Sequence, residues 1–346
     1  MSFEKMKTIT LMCCLPDLAS VNIKDRLLEL EKWTKVEVPS IEKMKESLEM
    51  YPISASMLYA EDKELTNYFT EVYEFSKNNI LLRMFLIDGR IIFQDYLDKR
   101  LEFLGYETDL IVFLSKHKSQ SEIKALTTHP TGNYANADYG GHSYSVCTPA
   151  PIEMKKMLLA MDRLNDEIEL GYDVTFEITH HGPTELEIPS LFIEIGSTEA
   201  EWKDQKPGSV VAKAVLSLAD DDDIYSENDR ISKEAKLLQD QVVAVAFGGG
   251  HYGERQTVNV FRTRLAFGHM FPKYQLESIT EELILQAFEK TGAKIAFFDK
   301  KSMKGSDRRR ITEILEKNGI PILNDRDAAA KYGIGFNLRE HEKSDE

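Results

Sequence analysis

Three short runs of nearly uninterrupted apolar residues limit the folds open to this chain more than any other feature of its sequence. They lie at residues 110–114, 191–195 and 242–247. Runs of this length are typical of strands that are covered on both faces, as in the sheet of an α/β protein. Residues 173–178 instead alternate polar and apolar side chains, which predicts a half-buried strand. The sequence therefore predicts a three-layer α/β/α fold with a mixed, largely parallel sheet.

The spacing of apolar residues predicts further elements around these runs. Additional strands or strand-like pieces are expected at 8–15, 53–59, 83–87, 91–93, 257–261 and 294–298. Helices are expected at 22–30, 151–168, 281–292 and 306–319, with an amphipathic stretch near 65–75. Ser278 and Glu281 would form the capping box of the third helix. We predict an N-terminal α/β domain over 1–104, a catalytic α/β domain over 105–338 and a charged tail over 339–346.

The distribution of charge bears on the kind of partner. The formal net charge is −15, which taken alone argues against a polyanionic partner. However, residues 294–310 hold seven basic residues against two acids, whereas residues 220–223 form a run of aspartates. Such a basic stretch is either a phosphate-binding surface or a solvated helix face, and the sequence does not decide between them.

Cysteine usage and hydropathy restrict the metal ligands and the compartment. Cys13 and Cys14 are adjacent and Cys147 stands alone, so neither a disulfide framework nor a Cys-x-x-Cys motif can be drawn. No apolar run approaches the length needed to cross a bilayer. We expect a cytoplasmic protein without a membrane partner, in which any metal is held by His, Asp or Glu.

Histidines give the main signal for a site, because seven of the eight lie between residues 117 and 269. His180, His181, His251 and His269 each adjoin a glycine or the end of a predicted strand. Any one of them is more often a structural histidine, but four together are hard to explain by packing. Glu194 interrupts an apolar strand, where an unpaired charge would be costly. We predict that these five residues converge on one site that binds zinc, although their spacing matches no standard zinc motif.

Two loops are candidate walls of this site. The tip after residues 110–114 carries Lys116, His117 and Lys118, and ligand sites in α/β sheets gather beyond the carboxyl ends of strands. The loop over 127–142 is dense in glycine, hydroxyl groups and histidine, and it is long for a mere connection. A solvated loop with a chance histidine explains the first of these equally well.

The segment 248–253 reads Gly-Gly-Gly-His-Tyr-Gly and literally matches the dinucleotide-binding fingerprint. We reject that interpretation because residues 257–261 have β character and no suitable acid follows about 20 residues later. The glycines are better explained as allowing close approach of backbone to a ligand and presenting His251 at a strand end.

A resemblance to a known family covers nearly the whole chain. It is carried by Asn22-Ile23-Lys24-Asp25, Gly132-Asn133, Ala137-Asp138-Tyr139-Gly140-Gly141, Thr179-His180-His181-Gly182-Pro183, Glu194-Ile195-Gly196-Ser197-Thr198-Glu199, Glu201-Trp202, Gly249-Gly250-His251-Tyr252 and Phe267-Gly268-His269. In these segments the chain resembles the archaeal and plant type of D-aminoacyl-tRNA deacylase. It departs from that pattern at 142–144 and 253–255, outside the histidine and glutamate motifs.

The resemblance implies hydrolysis of the ester between a D-amino acid and tRNA, a zinc-dependent activity with one or two ions per chain, and selectivity for the D-amino acid. It also implies an α/β core similar to that of peptidyl-tRNA hydrolases and phosphorylases. We expect a monomer with D-aminoacyl-tRNA as substrate and no stable protein partner. Two alternatives remain open: a zinc-dependent peptidase or deacetylase acting on small acyl substrates, and a non-catalytic tRNA-binding module.

The expected roles follow from this assignment. His180, His181, Glu194 and His251 are the candidate catalytic residues, and with His269 they are the candidate zinc ligands. Backbone N–H groups at the glycine turns near 140 and 248 are candidates for holding the oxyanion. The candidate substrate and tRNA contacts are Lys116, His117, Lys118, His129, Gly132, Asn133, Gly140, Gly141, Gly249, Gly250, Lys273, Arg308 and Arg309.

Overall fold

The computed structural model describes residues 5–54, 65–119, 122–220 and 229–339. The first part of the chain contains β1 (Lys7–Cys14), α1 (Leu18–Leu30), β2 (Thr34–Val36), α2 (Ile41–Met50), β3 (Tyr68–Lys77), β4 (Ile80–Asp88), α3 (Leu97–Phe103), β5 (Leu110–Lys116), β6 (Ala125–His129), β7 (Gly132–Asn133), β8 (Ser145–Val146), α4 (Pro151–Glu167), β9 (Asp173–Phe176) and β10 (Ser190–Gly196). The second part contains α5 (Glu199–Lys203), α6 (Gln205–Leu216), α7 (Asp229–Leu238), β11 (Val242–Phe247), α8 (Glu254–Val260), β12 (Leu265–Phe271), α9 (Glu281–Thr291), β13 (Ile295–Phe298), α10 (Gly305–Lys317), β14 (Ile322–Asn324) and α11 (Asp325–Tyr332).

The larger sheet has eight strands in the order β2-β3-β4-β1-β5-β10-β6-β9. The strands β4, β1, β5 and β10 run parallel to one another, and β6 with its parallel neighbour β9 runs the opposite way. The apolar run at 110–114 is therefore a central strand, as predicted. The mixed, largely parallel sheet predicted from the sequence is confirmed.

Helices cover both faces of this sheet because successive side chains of each strand point to opposite sides. Ile9 and Leu11 of β1 pack in one cluster with α1, α4 and α6, whereas Met12 packs in another with α2 and α3. Asp17 caps α1 by accepting hydrogen bonds from the N–H groups of Ala19 and Ser20. Its other carboxylate oxygen accepts from the N–H of Lys116, which fastens the start of α1 to the end of β5.

The smaller sheet is entirely parallel, with the order β12-β11-β13-β14. Val245 and Phe247 of β11 pack with α9 and α10, while Ala244 and Ala246 pack on the opposite face with residues around α8 and α11. The second core cluster also includes Val146 of the short hairpin β7-β8. Each sheet thus forms the middle of a three-layer arrangement.

Several predicted elements differ from the structure. The amphipathic stretch near 65–75 is largely the strand β3, and residues 91–93 form a 3-10 helix rather than a strand. The cap of α9 is Thr280, whose side chain accepts from the N–H of Leu283, and not Ser278. Beyond the helix predicted at 306–319, the chain adds β14 and α11. Most of the strand expected at 53–59 and of the aspartate run lies outside the described residues.

The predicted domain boundary at residue 104 does not separate the sheets. β1 pairs with β5 across it, so one sheet takes strands from both sides of the boundary. The strands divide instead between β10 and β11. Among the helices in the described ranges, none is both long and apolar enough to cross a bilayer.

Candidate functional site

The site lies where the two sheets meet, just beyond the end of β9. There the chain runs between β6 and the second sheet: the N–H of Glu177 donates to the carbonyl of Thr128 over 3.2 Å. The next N–H, of Ile178, donates to the carbonyl of His251 over 2.9 Å, and that of Thr179 donates to Met270 over 3.2 Å. Successive side chains from 177 to 181 therefore enter a region bounded by both sheets.

His180 and His181 do not diverge as neighbouring residues of a regular strand would. His181 has a φ of +44°, in the left-handed region, and the two ring centroids lie 4.4 Å apart. His129, at the end of β6, stacks on His180 with a centroid distance of 4.3 Å. The turn before Gly182 thus gathers three imidazoles into one group.

Each of these three imidazoles keeps one nitrogen lone pair that is not used by the backbone. The Nδ1 atoms of His129, His180 and His181 donate to the carbonyls of Pro130, Ile178 and Gly182 over 3.1, 2.7 and 2.7 Å. Because a carbonyl only accepts, Nδ1 carries the hydrogen in each ring and Nε2 keeps its lone pair.

The three rings are also held in the neutral form that a metal ligand requires. Burial lowers the pKa of His129 to about 4 and that of His181 to about 3, and it lowers the pKa of His180 well below its ordinary value. One ligand atom from each ring lies within 4.8 Å of those of the other two.

Glu177 is the second centre of the cluster, and it is completely buried. Its Oε2 lies 3.0 Å from Nδ1 of His117, 2.9 Å from Nε2 of His251 and 3.5 Å from Nε2 of His180. Burial alone would raise the pKa of Glu177, but the imidazoles of His117 and His251 lower it well below its ordinary value. Within the described residues, none of these rings points an N–H at a carboxylate oxygen well enough for a hydrogen bond.

Glu194, in β10, approaches the same group from the other side. Its Oε2 lies 3.7 Å from Nε2 of His129 and 3.8 Å from Nδ1 of His117. The carboxyl is buried, and burial together with the negative charge of Glu177 raises its pKa well above the ordinary value. The carboxylate expected in an apolar strand is therefore placed among the histidines.

The donor set fits zinc. Three combinations of side chains bring their ligand atoms together: His129, His180 and His181; His117, Glu177 and His251; and His129, Glu177 and Glu194. Nitrogen ligands with one carboxylate are typical of catalytic zinc sites, in which one coordination position stays open. The hydrogen bonds from Nδ1 to backbone carbonyls match the contacts that orient metal-bound imidazoles. The buried Glu177 oxygens, without aligned donors, are what a carboxylate prepared for a cation would show.

The glycine-rich loop after β11 presents His251 to Glu177. Gly248 and Gly249 have φ values of +98° and +97°, which glycine adopts most readily. Contrary to our prediction, residues 254–260 form the helix α8 and not a strand. The hydroxyl of Thr257 accepts from the N–H of Phe176 over 3.0 Å, so α8 is fastened to β9 at the start of the cluster.

His269 is not brought into the cluster with the other four predicted residues. Its Nδ1 lies 3.3 Å from the hydroxyl of Thr179, and its Nε2 lies 3.0 Å from the carbonyl of Cys147. The ring is fully buried, and burial lowers its pKa to about 3. Both nitrogens are engaged, so the geometry gives this ring the contacts of a structural histidine.

Three of the glycine N–H groups at the turns predicted to hold an oxyanion already have partners within the protein. The N–H of Gly141 donates to Ser54, that of Gly248 to the carbonyl of Phe271, and that of Gly249 to Ser302. Gly140 and Gly141 instead shape the loop, because a Cβ at either would lie within 2.7 Å of atoms of Ile92 or Thr184.

The predicted substrate contacts are divided between two cavities and the surface. Gly132 and Asn133 line a pocket of about 200 Å³ beside His180 and His181. Arg308 and Arg309 line a separate cleft of about 630 Å³. The three predicted lysines adjoin members of the cluster in sequence or through the glycine loop. The ammonium of Lys116 lies 5.1 Å from the centroid of the Trp202 ring, and Lys118 is exposed directly after His117. The backbone N–H of Lys273 donates to the carbonyl of Gly249.

Three members of the cluster were not predicted as ligands. His117 and His129 were predicted as substrate contacts, and Glu177 was taken only as a polar residue of an alternating strand. The available signals were the position of His117 just after the apolar run at 110–114 and that of His129 directly before Pro130. Glu177 gave no local signal, because its partners come from β5 and from the loop after β11.

Comparison with known proteins gives consistent matches. A sequence model of the D-aminoacyl-tRNA deacylase family matches residues 104–323. The D-aminoacyl-tRNA deacylase of Methanosarcina acetivorans is 43% identical over 326 residues, which cover 94% of this chain and 95% of that protein. The D-aminoacyl-tRNA deacylase of Thermococcus kodakarensis is 36% identical over 312 residues, covering 89% and 97%. A crystal structure of a conserved protein of unknown function superposes with a TM-score of 0.75 at 29% identity, covering 96% of this chain and all of that one.

Proposed function

The chain belongs to the D-aminoacyl-tRNA deacylase family, and from this we propose that it hydrolyses the ester bond of D-aminoacyl-tRNA, releasing the free D-amino acid and tRNA. The observation that carries the proposal is the convergence of His117, His129, His180, His181 and His251 with two buried carboxylates beside a pocket. An aminoacyl ester is already labile, so modest activation of water suffices. Charged tRNA is used in translation, and we expect the reaction to take place in the cytoplasm.

Zinc is the proposed cofactor, with one or two ions per chain. His129, His180 and His181 would hold one ion through Nε2, and His117, Glu177 and His251 would hold the other. When bound, zinc supplies Lewis acidity, which polarises a carbonyl and makes water a stronger nucleophile at neutral pH.

The protein's own groups fix the reacting geometry. The three Nδ1 hydrogen bonds to backbone carbonyls hold the rings of His129, His180 and His181 in one tautomer. The carboxylates of Glu177 and Glu194 approach both histidine groups, at 3.0 Å from Nδ1 of His117 and 3.7 Å from Nε2 of His129. His251 has a side chain about 40% exposed, so it is the member of the cluster best placed to exchange a proton with water.

Contact with tRNA is proposed at the basic stretch from Lys300 to Arg310. Lys300, Arg308 and Arg309 line the larger cleft together with Glu313, so cations outnumber acids there. Arg310 is committed to the fold, since its guanidinium donates to the carbonyls of Leu276 and Ile279. The exposed side chains of Arg308 and Arg309 are the ones available to phosphate.

The deciding experiment compares release of D-tyrosine and L-tyrosine from the same tRNA by the zinc-loaded protein. We expect release of D-tyrosine at a rate well above that of L-tyrosine. Equal rates would replace the deacylase with a general esterase. Turnover of peptides or acetylated amines without tRNA would favour a peptidase or deacetylase, and tight tRNA binding without release of either amino acid would favour a binding module.

A further inference from the structure

The pocket beside His180 and His181 has a composition that an amino-acid side chain alone does not explain. Its volume is about 200 Å³, smaller than the roughly 300–1,000 Å³ of sites for drug-sized ligands. It is lined by Gly132, Asn133, Tyr134, Ala135, Asn136, Asp138, Ile178, Thr179, His180, His181, Pro272, Tyr274 and Gln275. Amide and other polar groups predominate, and the apolar side chains are few and small.

We propose that this pocket binds the adenine of the 3′-terminal nucleoside of tRNA, stacked on Tyr274 and hydrogen-bonded by Asn136, Asp138 and Gln275. The assignment rests on the proposed function, because it names the part of the same substrate that the pocket receives. The terminal ribose carries both the ester and the adenine. When the ester lies at the imidazoles, the adenine therefore lies no more than one nucleoside away, which is where the pocket is.

Tyr274 has the position and exposure of a stacking residue. Its side chain is 57% exposed, although it lines the same pocket as His180 and His181. Aromatic rings bind bases of single-stranded nucleic acid by stacking, which tolerates any base. The preceding residue, Lys273, is also exposed, and a cation one residue before the stacking ring suits the adjoining phosphate.

The polar lining matches the edge of adenine better than it matches a phosphate or an apolar side chain. Adenine offers one amino donor group and ring-nitrogen acceptors, which carboxylate and amide groups can pair. Asp138 is the acid among the lining residues, and its negative charge would repel a phosphate inside the pocket. A base and its ribose are neutral, so they enter without that repulsion while the phosphate stays outside.

The wall that carries Asp138 is fixed to the histidine turn. The N–H of Gly182 donates to the carbonyl of Tyr139 over 3.0 Å, and the Nδ2 of Asn133 donates to the carbonyl of Gly140 over 2.8 Å. A Cβ at Gly182 would lie 2.3 Å from the backbone nitrogen of Gly141, so the two segments are in direct contact. The wall that carries Asp138 is therefore held in a fixed position relative to the imidazoles before a base binds.

The test uses a tRNA acceptor minihelix whose 3′-terminal adenine is replaced by the fluorescent base 2-aminopurine, titrated with the zinc-loaded protein. Stacking on Tyr274 should quench the fluorescence on binding. Tyr274→Ala should abolish the quenching and weaken binding roughly 5- to 150-fold, while Tyr274→Phe retains both. Phe103→Ala, which removes an exposed aromatic ring from α3, is the matched control and should change neither.

Edge recognition is measured by competition between minihelices ending in adenosine and in purine ribonucleoside, which lacks the 6-amino group. We expect the purine end to compete roughly 5- to 10-fold more weakly. Unchanged quenching in Tyr274→Ala would overturn the assignment. An abasic 3′ end that binds as tightly as adenosine would also overturn the assignment. The pocket would then be interpreted as the binding site of the amino acid.

Kinetics separate this inference from the proposed function. With D-tyrosyl-tRNA, Tyr274→Ala should raise KM with little change in kcat. Quenching by wild-type protein that hydrolyses no D-aminoacyl ester would leave the base pocket standing and remove the deacylase. Normal hydrolysis of D-tyrosyl-tRNA by the wild type, together with an unaltered KM in Tyr274→Ala, would keep the deacylase activity and remove the base pocket.

Discussion

Which nitrogen of each imidazole carries hydrogen determines what the cluster can bind. In His129, His180 and His181 the Nδ1 hydrogen is donated to a backbone carbonyl, which leaves the Nε2 lone pair as the nitrogen ligand that each ring can offer. In His269 both nitrogens have partners, so no lone pair is offered to the cluster. His129 and His269 are equally buried. They differ in what they can bind because His129 has one hydrogen-bonded nitrogen and His269 has two.

A direct prediction concerns the ligand residues. His180→Ala should lower the zinc content of protein purified without added metal and lower kcat/KM roughly 10²- to 10⁴-fold, since a ligand and an orienting group are lost together. His269→Gln should keep its zinc, because that ring makes only structural contacts. His142→Ala removes an exposed histidine outside the cluster and is the matched control. Metal analysis and kcat/KM are measured on each protein.

Chelation gives the same prediction an independent check. Activity should disappear when the wild-type protein is stripped of metal and should return with added zinc. Full activity of metal-free protein would leave the histidines acting as acid and base alone.

The sequence revealed only part of this chemistry. His180, His181 and His251 could be identified because glycines and strand ends surround them, and Glu194 because it interrupts an apolar run. Glu177 could not, since in the sequence of an alternating strand it is indistinguishable from polar residues such as Asp173, which is exposed. Its role depends on pairing with a loop far along the chain, and local patterns carry no information about such contacts.

Secondary structure was most predictable where an element is buried on both faces. The runs at β5, β10 and β11 are strands as expected, because continuous apolar sequence leaves few alternatives. The helix α8 was predicted as a strand because Thr257, Val258 and Val260 are β-branched. Tertiary contacts outweighed that weak preference: the hydroxyl of Thr257 bonds to β9, and Gln256 donates to the carbonyl of Gly248.

The helix α4 buries a lysine beside its core methionines. Met154, Met157 and Met161 are buried, and Lys155 is buried with them. Its ammonium donates to the carbonyls of Thr263 and Leu265 over 2.8 and 3.0 Å, joining α4 to the start of β12. Burial nonetheless lowers the pKa of Lys155 from 10.5 to about 7.

This shift predicts a pH dependence of stability. Between pH 7 and 10.5 the unfolded chain keeps the proton of Lys155 and the folded chain releases it, so the contribution of Lys155 to stability rises with pH in that window. Below pH 7 both states are charged, and the cost of the buried charge is fully present. The slope is at most about 1.4 kcal/mol per pH unit, and the two carbonyl acceptors reduce it.

The measurement is the free energy of unfolding in urea at several values between pH 6 and pH 9 for wild type and Lys155→Met. The difference, wild type minus variant, should increase with pH, because other titrating groups cancel. A difference that stays constant would mean that Lys155 remains charged in the folded protein throughout this range.

In the molecule as a whole, the site belongs to both sheets. Glu177 follows β9 of the larger sheet, while His251 follows β11 of the smaller one, and their contact closes the cluster. The larger sheet takes strands from both sides of the boundary predicted at residue 104, and local sequence patterns do not specify which strands pair. The strands β2, β3 and β4 join the same sheet as β5 and β10 because β1 lies between β4 and β5.

The charge of the whole molecule poses the last question, which is how a protein of net charge −15 holds a polyanion. Long-range attraction is unfavourable, so binding must rely on local phosphate contacts. Replacing Arg308 and Arg309 with alanine should raise KM for D-aminoacyl-tRNA while leaving kcat nearly unchanged, because the larger cleft is separate from the imidazoles. It should also flatten the dependence of log KM on log salt concentration by roughly 0.7 to 0.9 per lost phosphate contact.

The matched control for this prediction is the double variant Lys43→Ala and Lys45→Ala, which removes the same charge from the exposed side of α2. If the arginines act only through net charge, both double variants should weaken binding equally. If they touch phosphate, only the arginine variant changes the salt slope, since counterion release counts contacts and not overall charge. An unaltered slope in the arginine variant would move the tRNA contact to Lys116, Lys118 and Lys273, which lie closer to the cluster.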